Sequence, residues 1–100
     1  MTKNKVIAWH VCSIKKFLKY LHEGRIRAPV RAWMDIKEAE RFSKQTGRQI
    51  ILRLKFDEKE AKKLGGHKGK AVYIEIDYPI KKWLQIEHLD VTYRQVDKSS

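Results

Sequence analysis

A single cysteine, Cys12, two prolines and five glycines are all that this 100-residue chain holds of the residue types that staple or punctuate a fold. One thiol forms no intrachain disulfide and offers no zinc set of the usual cysteine spacing, which excludes both a disulfide scaffold and a cysteine-based zinc module. Cys12 sits in an apolar run and is expected to be a buried thiol. So little glycine and proline, beside 42% hydrophobic and 35% charged residues, also excludes collagenous and disordered compositions. Long hydrophobic runs are missing too. The longest, Val6 to Cys12, is broken by His10 and falls far short of the roughly 18 residues of a membrane span, so no membrane partner is expected. The opening Met1-Thr2-Lys3-Asn4-Lys5 has no apolar segment ending in a small-residue cleavage site, so a cytoplasmic location without a secretory leader is expected.

Acid is scarce as well. Twelve Asp and Glu stand against 23 Lys and Arg, a formal net charge of +11. An excess of that size on one small domain attracts polyanions, and nucleic acid, DNA or RNA, is the first expected partner. The imbalance is uneven: residues 1–50 carry twelve bases and four acids, residues 51–100 eleven and eight. From Lys3 to Arg31 there are eight bases and one acid, Glu23, so the cationic surface is expected to be led by the N-terminal half. An acidic protein surface would answer the same charge and is a further candidate partner.

The pattern along the chain predicts a single α+β domain over residues 1–100, frayed near 1–4 and 97–100, with a mixed or mainly antiparallel sheet of four to five strands, two main helices and one short helix. The helices are expected on one side of the sheet. Val6 to Val11 mixes β-branched and aromatic residues and predicts a strand. Ser13 can cap a helix whose Ile14, Phe17, Leu18 and Leu21 recur at helical spacing, with Gly24 as its left-handed stop. The outer face of that helix carries Lys15, Lys16, Lys19 and His22. A loop with Arg25, Arg27 and Arg31 is expected around Pro29, followed by a short strand at Ala32 to Met34. Asp35 and Glu38 make a capping box for a helix over Ile36 to Thr46, stopped by Gly47.

Strict alternation over Ile50 to Phe56 predicts a strand with Arg53 and Lys55 on its second side. Asp57 and Glu60 suggest a cap for the short helix, with Ala61 and Leu64 inward. Gly65 to Lys70 reads as a basic loop carrying Lys68 and Lys70. Val72 to Tyr78 alternates as a strand on which Glu75 and Asp77 would share one side, about 7 Å apart. Ile80 to Ile86 is ambiguous between a helical turn and a crossover, and a last strand is expected over Val91 to Val96.

Motifs of chemistry are few. His10 in an apolar strand is more often a hydrogen-bonded core residue than a catalyst, and His22, His67 and His88 show no metal-ligand spacing, so no metal is expected. Trp9, Trp33 and Trp83 can stack bases, although tryptophan in a small domain is commonly a core anchor. No serine elbow, Walker loop or dinucleotide fingerprint is present. The leading expectation is a nucleic-acid-binding protein, more a binder than an enzyme and without a cofactor, that grips phosphates through Lys15, Lys16, Lys19, Arg25, Arg27, Arg31, Arg53, Lys55, Lys68 and Lys70, the cationic ridge of the first helix making a continuous platform with the arginines just downstream.

One resemblance adds an alternative. Trp9-His10-Val11-Cys12-Ser13, followed by an amphipathic helix ending Leu21-His22-Glu23-Gly24-Arg25-Ile26, resembles the first motif of the ADP-ribosyltransferase fold. Ala32-Trp33-Met34-Asp35, the helix to Phe42 and the strand Gln49 to Phe56 are similar to that family's second strand, helix and strand. Together these cover about half the chain. The resemblance implies an NAD-dependent transferase or a relative that keeps the fold without the chemistry. It makes His10 the cofactor-binding histidine, sets Trp33 near the second motif and makes Glu75 the catalytic glutamate.

Overall fold

Eight strands and two helices account for the regular structure of the computed structural model, which describes residues 4–66, 70–80 and 85–89. The alternating apolar segments become β1 (Lys5–Cys12) and β4 (Ile50–Asp57), paired antiparallel along their full length from Lys5 opposite Asp57 to Cys12 opposite Ile50. β3 (Val30–Trp33) lies on the other side of β1, followed by β6 (Ala71–Ile74) and the edge strand β5 (Lys62–Lys63). β8 (Gln85–Leu89) pairs with β4 at the opposite edge. The sheet order is β5-β6-β3-β1-β4-β8 and every pairing is antiparallel. A separate two-stranded ribbon joins β2 (Arg25–Ile26) to β7 (Tyr78–Pro79). The result is the expected α+β domain with an antiparallel sheet, six strands wide rather than four or five.

Both main helices form where capping chemistry puts them. α1 (Ile14–Glu23) starts at Ser13, whose hydroxyl accepts the Lys16 N–H, and stops at Gly24 with φ 77°. α2 (Ile36–Thr46) starts at Asp35, whose carboxylate accepts the Lys37 N–H, and stops at Gly47 with φ 75°. A residue with a Cβ is strained at such positive φ, which is why glycine ends both helices.

The two helices do not share one side of the sheet, as the sequence suggested. Alternation along β1 sends Ala8 and Cys12 to one face and Trp9 and Val11 to the other. On the first face lies the main core, with Leu52, Leu54 and Phe56 of β4, Val72 and Ile74 of β6, and Ile26 and Tyr78 of the ribbon; Ile14, Phe17 and Tyr20 of α1 pack against it. On the second face Val11, Ile51 and Ala39 are buried, with Trp9, Trp33, Ile36 and Phe42 around them. A strand with apolar residues in both registers has two faces to cover, and one helix goes to each. Fully burying each large side chain of these clusters contributes roughly 1.5–3 kcal/mol.

Three further expectations are corrected. After Asp57 the chain makes a turn rather than the short helix: the Asp57 carboxylate accepts the Lys59 N–H, and its carbonyl accepts from Glu60 and Ala61. Ala61 and Leu64 are too few apolar residues to hold a helix, and Lys62–Lys63 instead hydrogen-bonds to the edge of β6. The strand begun at Ala71 ends at Ile74, so Glu75 and Asp77 do not share a strand face. Asp77 turns away because its carboxylate accepts the Ala28 N–H at 2.8 Å and meets the Arg25 guanidinium at 3.2 Å. Antiparallel pairing with Tyr78–Pro79 makes the start of the supposed arginine loop into β2, and the Ala28–Pro29 bond after it is cis. The strand expected over Val91 to Val96 lies outside the described residues, as does Trp83. Among the described residues no helix is long and apolar enough to cross a membrane.

Candidate functional site

The ladder between β1 and β3 has one registered pair, Trp9 opposite Trp33. Past that point β1 stays with β4 as far as Cys12, while β3 stays with β6 from Trp33 to Val30. A cleft of about 650 Å³ lies along this parting. One wall is His10, Val11, Cys12 and Ser13; the other is Arg31, Ala32 and Trp33, with Pro29, Leu64 and Ala71 beyond. α1 contributes Lys16 and Tyr20, and the α2 side contributes Phe42 and Arg48.

His10 replaces a missing rung of the ladder. Its Nδ1 lies 2.6 Å from the Arg31 carbonyl oxygen, which can only accept, so Nδ1 carries the proton. Nε2, 3.1 Å from the Tyr20 hydroxyl, is left to accept from it. Burial disfavours the imidazolium and lowers the His10 pKa below its ordinary value; the Arg31 carbonyl opposes this, while the charges of Arg48 and Lys16 add to it. The ring is therefore neutral, with both nitrogens engaged. Burial also pushes the Tyr20 hydroxyl and the Cys12 thiol up to about 12 each. Cys12 is thus a buried thiol and a poor nucleophile at neutral pH.

Three cations converge on this neutral floor, each set by local backbone chemistry. Lys16 follows the Ser13 cap, in a first turn that holds no acidic residue. Arg31 stands on β3 with its backbone tied on one side to Tyr73 of β6. Arg48 follows the Gly47 stop: its carbonyl accepts the Ser43 hydroxyl, its N–H reaches Thr46 Oγ1 at 3.4 Å, and its guanidinium lies 5.4 Å from the Phe42 ring centroid. Phe42 in turn tilts against Trp33 at 5.7 Å. Among the described residues no carboxylate lines the cleft, and Lys16, Arg31 and Arg48 have no acidic partner. The arrangement can hold an anion beside aromatic surface and can neither strip a proton strongly nor attack through sulfur.

The other expected phosphate contacts do not form one platform. Lys15 and Lys19 are exposed on α1, next to Lys16; neither makes a salt bridge among the described residues, although the Lys19 charge acts on Glu23 one turn on. Arg53 and Lys55 lie on the opposite face of the sheet, in register with Trp9 and Ile7. Arg25 is paired with Asp77, Arg27 with Glu23 at 3.1 Å, and Lys70 with Asp35 and Glu38 at 3.9 and 3.7 Å. Lys68 and His67 lie outside the described residues. Glu75 stands past the end of β6, 2.8 Å from Lys62 Nζ, and does not line the cleft with His10. Trp33 does. Arg48, Tyr20 and Phe42 had no functional signal in the sequence, because only the return of the chain after Gly47 and the seating of α1 bring them to His10. Among the described residues no group of three or more metal-ligating side chains gathers. No family model, curated sequence or solved structure matches the chain.

Proposed function

We propose that this protein binds single-stranded nucleic acid, with one nucleotide entering the cleft between β1 and β3. The observation that carries this reading is the convergence of Lys16, Arg31 and Arg48, unpaired with acid among the described residues, on a cleft that also offers the rings of Trp33 and Phe42. Phosphate is the anion such a cationic set takes, and aromatic faces give an unstacked base its platform. The parted strands admit a splayed nucleotide and not a base paired within a duplex. Lys15 and Lys19 continue the charge from Lys16 along α1 for flanking phosphates.

Anisotropy of a fluorescein-labelled oligonucleotide, as single-stranded RNA, single-stranded DNA and duplex, tests it. Arg31→Glu together with Arg48→Glu is expected to weaken single-strand binding at least about tenfold, as loss and reversal of two phosphate contacts requires. Equal affinity of the variant, or preference for duplex, would overturn the reading.

A second reading rests on His10 at the cleft floor, where the resemblance to ADP-ribosyltransferases puts a cofactor histidine. It predicts NAD uptake by calorimetry that His10→Ala abolishes. Its transfer step would need Glu75, and the Lys62 pairing of that carboxylate, away from the cleft, is why binding of nucleic acid is preferred.

A further inference from the structure

The apolar stripe of α1 is only half used. Ile14, Phe17 and Tyr20 pack on the core, yet no residue of the helix is fully buried, and Leu18 and Leu21 remain 58% and 48% exposed. At three and four residues' spacing Lys15, Leu18, Lys19 and His22 share one flank of the helix, and Leu21, three residues from Leu18 and exposed, borders it on the side toward Ile14 and Phe17. Lys19, three residues from Lys16, forms the edge of that flank nearest the cleft, while Leu18 and His22 turn away from Lys16 and Tyr20, the residues of α1 that line the cleft. Glu23, the one acid of the helix, is hydrogen-bonded to Arg27 and feels the charge of Lys19 only at longer range, so Lys19 has no direct ion pair among the described residues.

We propose that this outer face of α1 docks an acidic amphipathic helix of a partner protein, which sets apolar side chains on Leu18 and Leu21 and carboxylates on Lys15 and Lys19. The chemistry of the face selects that occupant. Two leucines gain nothing from phosphates, so nucleic acid uses only the lysines. A second copy of the chain would bring its own lysines against these, at a net charge of +11 per copy. An acidic amphipathic segment covers the leucines and neutralises the lysines together.

The probe is a labelled synthetic peptide with leucines at i, i+3, i+4 and i+7 and glutamates elsewhere, beside a scrambled peptide of equal composition. The first is expected to bind and the scrambled one to bind at least about tenfold more weakly. Leu18→Ser with Leu21→Ser is expected to cost about tenfold in affinity, and Lys15→Glu with Lys19→Glu a similar factor that shrinks in high salt. The milder Leu18→Ala with Leu21→Ala repeats the first test should serine disturb the helix, with circular dichroism confirming the fold. Arg31→Glu with Arg48→Glu leaves peptide binding unchanged, so failure here is distinct from failure of the cleft reading. Equal binding of the scrambled peptide, indifference to the leucine substitutions, or sedimentation showing a dimer that those substitutions dissolve would each overturn the proposal.

Discussion

His10 is the residue on which the cleft turns. Its neutral imidazole joins β3 to α1, donating to the Arg31 carbonyl and accepting from Tyr20. Burial holds its pKa below the ordinary value in the folded chain, while the unfolded chain offers an ordinary imidazole. Between those two values the unfolded state binds the extra proton, so this contribution to stability is fully present above about pH 6.5 and is lost as pH falls toward the folded value. Urea midpoints are therefore expected to drop between pH 7 and pH 5, with a limiting slope of about 1.4 kcal/mol per pH unit. His10→Gln, which keeps a donor for Arg31, should flatten that dependence; an unchanged slope would refute the assignment. Glu23 enters later, because its hydrogen bond from Arg27, aided by the charges around it, holds its carboxyl below the usual carboxylate range.

At the scale of elements, α1 and α2 are built by similar rules and used differently. α2 buries Ala39 and Ser43 on the sheet, whereas α1 buries nothing fully and relies more on its ends. Ser13→Ala removes the acceptor of the Lys16 N–H and is expected to cost about 1 kcal/mol by chemical denaturation. Because the same turn presents Lys16 to the cleft, oligonucleotide affinity should fall severalfold with it. Loss of stability without loss of affinity would separate the cap from the site. At the other edge of the sheet, β5 shows how a weak helical signal loses to an available ladder. Its two lysines also leave a charged edge that discourages further strand addition.

Across the whole molecule, charge is sorted rather than spread. Arg25, Arg27 and Lys70 are tied to Asp77, Glu23 and the Asp35–Glu38 pair, while Lys16, Arg31 and Arg48 face the cleft. Paired surface cations contribute little to binding an incoming anion, since the carboxylate must first be displaced. The number of phosphates engaged should therefore be well below the net charge. The logarithm of single-strand affinity is expected to fall linearly with the logarithm of salt concentration, and Arg31→Ala should lessen that slope by roughly one while Arg27→Ala leaves it nearly unchanged. Equal effects of the two would mean that net charge, not the cleft, governs binding.

Local chemistry alone settled much of this protein. Ser13, Gly24, Asp35 and Gly47 bound both helices, and alternation over Ile50 to Phe56 marks the central strand, because caps and periodicity act between neighbours in sequence. The cationic character was legible from composition alone, and of the residues singled out in the sequence His10, Arg31 and Trp33 line the cleft. What needed the tertiary structure was every relation between distant segments. Only the parting of β3 from β1 opens the cleft, only the seating of α1 and α2 on opposite faces brings Tyr20, Phe42 and Arg48 to it, and only Asp77 meeting Ala28 and Arg25 breaks the strand that would have carried Glu75. Ion pairing and sheet order depend on which chain segments meet in space, and contacts between segments far apart along the chain leave no periodic trace in the sequence.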